Sequence, residues 1–112
     1  MAAVDYTEEL KELDATLHSI ETVLDLPALR RELADLNEQV AAPDLWDDQD
    51  HAQQVTSRLS HVQGQISRVE TLRRRLDDIT ILLELAESED DAATLAEAES
   101  ELRAMRKAIG EL

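Results

Sequence analysis

The chain has no cysteine and no phenylalanine, and its 112 residues include only two glycines, two prolines, one tyrosine and one tryptophan. The missing cysteines exclude disulfides, thiolate nucleophiles and zinc-thiolate sites, and they suit a reducing compartment such as the cytoplasm. So few glycines and prolines leave too little turn chemistry for a many-stranded sheet. No stretch approaches the roughly 18 apolar residues of a membrane span, and no membrane contact is expected. The first twelve residues lack the basic and then apolar pattern of a secretory signal.

Basic residues are also scarce, with 11 Lys and Arg against 26 Asp and Glu, a formal charge of −15. Residues 1–54 hold 14 acidic and 3 basic side chains, residues 55–87 hold 5 of each, and residues 88–112 hold 7 and 3. Binding to a phosphate backbone draws on Lys and Arg that displace counterions, so direct nucleic-acid binding is not expected of this domain. A basic protein surface is the complementary partner, the alternative being that the acid only keeps the fold soluble.

What the sequence does have is heptad-like spacing. Tyr6, Leu10, Leu13, Leu17, Ile20 and Leu24 recur in steps of four and three, and Asp5 followed by Glu8 resembles a capping box. Asp25-Leu26-Pro27 reads as a stop and restart, because proline disfavours a helical residue before it yet suits a first turn. Leu26, Leu29, Leu33, Leu36 and Val40 continue the pattern over residues 26–41. Beyond an interruption at Pro43–Asp48, Val55, Leu59, Val62, Ile66, Val69, Leu72, Leu76, Ile79 and Leu83 form one stripe, which predicts a helix over about 48–87. Ser88-Glu89-Asp90-Asp91 supplies capping chemistry, and Leu95, Ala98, Leu102, Met105, Ile109 and Leu112 give a fourth stripe.

These spacings predict an all-α fold: an elongated antiparallel helical bundle, or coiled-coil-like hairpin, of about four helices in a single domain over 1–112. Residues 26–41 are expected to cover the first part of the long helix and residues 90–112 its second part. Ile66, Val69 and Leu72 make two consecutive steps of three, which turns the apolar face and is expected to mark the change of partner. Nearby Gly64 is either a point of close backbone approach or a tolerated surface glycine. The packing of the first helix is left open.

No residue constellation suggests bond-making chemistry, and no catalytic, cofactor or metal site is assigned. His18, His51 and His61 lie on separate helical segments. His51 is the best metal candidate, but near Asp47, Asp48 and Asp50 it reads better as part of a solvated first turn. Arg73-Arg74-Arg75 fans around a helix and is expected to form ion pairs with the acidic first or fourth helix, the alternative being a ligand site. Pro43, Asp44, Leu45, Trp46, Asp47 and Asp48 read as a rigid corner. Trp46 is expected to fold back onto the core as its anchor, with an exposed contact residue as the alternative, and Asp47 or Asp48 to cap the next helix.

The corner also carries a resemblance. Leu33-Ala34-Asp35-Leu36-Asn37, Pro43-Asp44-Leu45-Trp46-Asp47-Asp48 and Ala52-Gln53-Gln54-Val55 together resemble the N-terminal domain of bacterial peptide chain release factor 2. Leu82-Leu83-Glu84-Leu85-Ala86 and the acidic Glu89-Asp90-Asp91 extend the likeness to essentially the whole chain. The resemblance implies a helical domain that precedes a codon-reading domain and a domain whose Gly-Gly-Gln motif promotes peptidyl-tRNA hydrolysis at UGA and UAA stop codons. This chain contains neither Gly-Gly-Gln nor the Ser-Pro-Phe codon-reading motif, and Gln63-Gly64-Gln65 is a different tripeptide. The chain is therefore expected to be a domain of a longer, cytoplasmic protein and not itself an enzyme. By the same resemblance its partners would be the ribosome at the large-subunit stalk-base protein, the remaining domains of the factor and a recycling GTPase. A monomer is expected; a generic coiled-coil dimerisation module is the alternative reading.

Overall fold

The computed structural model describes residues 5–112, and it contains four α-helices and one 3-10 turn. In chain order these are α1 (Thr7–Leu24), α2 (Leu26–Ala41), the 3-10 turn (Pro43–Asp47), α3 (Gln49–Glu89) and α4 (Ala92–Gly110). No strand occurs among the described residues, so the all-α expectation holds, and α3 with 41 residues is the long helix. At 1.5 Å per residue, α3 is about 60 Å long.

The helix ends follow from local chemistry. Asp5 accepts hydrogen bonds from the backbone N–H of Thr7 at 2.9 Å and from its hydroxyl at 2.5 Å, which satisfies donors that the first turn of α1 leaves open. Glu8 pairs with Lys11 one turn on, at 3.8 Å. Asp25 ends α1 in the left-handed conformation, at φ 55° and ψ 69°, and its carboxylate accepts from the Ala28 N–H at 3.3 Å to start α2. Pro27 sits in the first turn of α2, where a missing N–H costs nothing.

At the far end of α3, Asp90 adopts φ 49°. The Asp91 N–H then donates to the Ala86 carbonyl at 3.1 Å and the Asp90 N–H to that of Glu87 at 3.4 Å, the pattern by which a left-handed residue closes a helix. Asp91 immediately caps α4, accepting from the N–H groups of Ala93 and Thr94 and from the Thr94 hydroxyl. Two residues thus separate α3 from α4.

The chain forms two compact units that divide α3 between Val69 and Glu70. The first comprises residues 1–20 and 70–112, its described part being most of α1, the second half of α3 and all of α4. Its core is Leu13 and Leu17 from α1, Leu72, Leu76, Ile79 and Ala86 from α3, and Ala98, Leu102, Met105 and Ile109 from α4, all buried. The second unit, residues 21–69, holds α2, the 3-10 turn and the first half of α3, with Leu26, Leu36, Leu45, Ala52, Val55, Val62, Ile66 and Val69 buried.

The division falls inside the Ile66–Val69–Leu72 step. Each residue advances about 100° around a helix, so the added step of three, about 300°, turns the apolar stripe by about 60°. Residues 26–41 therefore share a unit with the first part of α3 and α4 with the second, as the stripe predicted; α1, left open by the sequence, joins α4. Gly64 is not a point of close approach, since a Cβ built on it meets nothing within 4 Å, and it is a surface glycine.

Candidate functional site

The corner of the second unit is built on three residues per turn. Ala42 is extended at ψ 126°, as the following Pro43 requires, and the Leu45 N–H donates to the Ala42 carbonyl at 3.2 Å. In a 3-10 turn, residues three apart lie on one edge. Pro43 and Trp46 thus share one edge, Asp44 and Asp47 a second, and Leu45 leads the third. Leu45 is 6% exposed and Trp46 57% exposed.

This corrects the expectation that Trp46 folds back as the anchor. The smaller Leu45 is the residue inserted into the core, and the turn's threefold spacing directs its neighbour outward. Capping of the next helix is the part of Asp48, whose carboxylate accepts from the His51 N–H at 3.2 Å while its carbonyl accepts from the Ala52 N–H at 2.9 Å.

Charge around this corner has one sign. Between Arg31 and Arg58 there is no Lys or Arg, while Glu32, Asp35, Glu38, Asp44, Asp47, Asp48 and Asp50 are acidic. Arg58 closes the run with a two-pronged bond, its Nε and Nη2 donating to Glu32 at 2.6 and 3.0 Å. That bond holds the Glu32 carboxyl below its ordinary range.

The first unit offers a different surface. Tyr6, Leu10, Leu83 and Leu95 line an open groove of about 870 Å³ whose other walls include Asp77 and Glu87. Side-chain pairs tie this unit together, among them the Tyr6 hydroxyl donating to Glu99, Arg73 paired with Asp14, and Arg106 paired with Glu9. The bond to Glu99 raises the Tyr6 hydroxyl above its ordinary pKa, because the proton is held by the acceptor.

Arg73 therefore engages the acidic first helix, as its place in the arginine run suggested. The pairs Arg58–Glu32 and Arg106–Glu9 had no counterpart in the sequence reading; partners 26 or more residues apart leave no periodic trace. His18, His51 and His61 are all exposed. Among the described residues no three His, Cys, Asp or Glu side chains are grouped to hold a metal ion.

The described residues thus form an all-helical domain whose acidic corner presents an aromatic side chain to solvent. Residues 29–112 match the family model of the PCRF domain, and the chain belongs to that family. It is 56% identical over all 112 residues to peptide chain release factor 2 of Streptomyces avermitilis, and 55% identical over the same length to that of Salinispora tropica. The same factor of Acidothermus cellulolyticus is 56% identical over 112 residues. The match covers the whole of this chain but 30% of each of these relatives.

Proposed function

We propose that this domain is the N-terminal positioning arm of a translation-termination factor that acts in the cytoplasm at UGA and UAA stop codons. The observation that supports this most is the likeness, along the entire chain, to proteins named peptide chain release factor 2, of which it spans about 30%. In this reading the codon-reading and Gly-Gly-Gln chemistry belongs to other domains of the parent factor. The present domain docks on a basic protein at the stalk base of the large ribosomal subunit and takes part in the interplay with a recycling GTPase. The formal charge of −15 supports a basic protein partner over rRNA, since docking is then steered by opposite charge.

The test removes the domain from the parent factor. Peptide release from terminated ribosomes at subsaturating factor should slow, while the rate at saturation is largely kept, because an arm contributes to association rather than to hydrolysis. Equal release at every factor concentration would refute the positioning role. Sedimentation of the isolated chain as a dimer would instead favour the coiled-coil dimerisation reading.

A further inference from the structure

We infer that the Trp46 corner is a docking point for an arginine-bearing segment of a basic protein, with the indole face and the Asp44–Asp47 edge together receiving a guanidinium group. Three observations converge. Trp46 is 57% exposed on a turn whose neighbouring residue Leu45 is anchored in the core, so a large aromatic is presented to solvent by a fixed support. Nothing in the fold requires this; an unburied tryptophan is a poor use of apolar area, and tryptophans of this kind are the anchors that dominate protein interfaces.

The second observation is geometric. The edge carrying Asp44 and Asp47 is a third of a turn from the one carrying Trp46, so the two edges adjoin on one turn. Asp44 and Asp47 are both exposed, whereas Asp48 is occupied in capping α3. The third is the run of seven acidic residues without a Lys or Arg from Glu32 to Ser57. That field repels phosphate and attracts a cation, which selects a basic protein segment over RNA as the occupant.

Arginine fits this arrangement better than lysine. Its planar guanidinium stacks on an indole face and keeps its edge donors for carboxylates, whereas an ammonium is a compact, strongly hydrated charge. The inference deepens the positioning-arm reading by naming the surface and the side chain recognised, and it rests on that reading only for the identity of the partner.

Trp46 is the only tryptophan of the chain, so its emission reports on this surface alone. A fluorescein-labelled helical peptide with four arginines is titrated into the 112-residue chain, followed by tryptophan emission and by peptide anisotropy, with a lysine counterpart and a single-stranded RNA 12-mer in parallel. The expected result is saturable binding with a change in Trp46 emission, about tenfold weaker for Trp46→Ala and weaker again for Asp44→Asn with Asp47→Asn. Trp46→Phe should restore part of the affinity. The lysine peptide should bind several-fold more weakly, and the RNA not at all.

Circular dichroism should show unchanged helicity and melting for Trp46→Ala. Arginine-peptide affinity that is the same with and without Trp46, or preferential binding of the RNA, overturns the inference. Ribosome pelleting separates the two readings. If the wild-type chain and Trp46→Ala pellet equally, the docking point is wrong and the arm reading stands; Trp46-dependent peptide binding by a chain that never pellets leaves the docking point and removes the arm.

Discussion

Both glycines of this chain lie within helices and neither has a positive φ, whereas the two left-handed non-glycine positions among the described residues, Asp25 and Asp90, are aspartates. The assignment inverts the common one and has physical consequences. At Gly64 the backbone freedom of glycine serves no close contact, so Gly64→Ala should stabilise the fold by about 1 kcal/mol, seen as a higher urea midpoint with an unchanged slope. A lower midpoint would mean that a side chain at this site is resisted. Asp25 uses what glycine lacks, a carboxylate that reaches a neighbouring donor, the Ala28 N–H. At Asp91, the residue after Asp90, bonds from the Thr94 hydroxyl and then the Thr94 N–H hold the carboxyl below its ordinary 3.8. The folded state therefore binds this proton less tightly than the unfolded chain. Its stabilisation is complete above the ordinary value and is lost as pH falls through the lowered one. Asp91→Asn keeps an acceptor but cannot titrate. The stability difference between wild type and this variant should be constant above about pH 5 and shift against the wild type below about pH 4. A difference that does not move between those values would show that the cap is indifferent to its charge.

At the scale of the element, the 3-10 turn separates two neighbouring residues into opposite roles. Leu45→Ala should cost about 2–4 kcal/mol, whereas Trp46→Ala should leave the melting temperature close to that of wild type. Thermal denaturation of the two variants decides it, and comparable losses would mean that the indole contributes to the core after all. The sequence shows that a corner exists here, because Pro43 and the flanking aspartates break the heptads. It does not show which side chain the corner buries, since a period of three over five residues is too short to read and size alone favours tryptophan. The helices were legible for the opposite reason: apolar spacing sustained over many turns leaves little choice of face, and residues 26–41 were bounded as they occur. The end of α3 was placed slightly early because Ser88 and Glu89, which read as capping residues, remain helical while Asp91 performs the capping.

For the whole molecule, a charge of −15 acts on folding and on docking in opposite directions. Like charges repel within the folded chain, so raising the salt from about 20 to 300 mM should increase the melting temperature, while attraction to a basic partner should weaken over the same range. Melting curves and peptide titrations across one salt series measure both, and a melting temperature that falls with salt would show that pairs such as Arg58–Glu32 outweigh the repulsion. The partnership of α1 with α4 was hidden from the sequence because its cross-links, such as Tyr6–Glu99 and Arg106–Glu9, join residues far apart in the chain. The two compact units also divide the aromatic side chains. Tyr6 lies in one and Trp46 in the other, and with no phenylalanine there is a single natural chromophore for each. Unfolding can therefore be watched separately in the two halves without introducing any label. Coincident tyrosine and tryptophan transitions would mean that the continuous helix α3 binds the units into one cooperative event; separated transitions would mean that each core melts on its own terms.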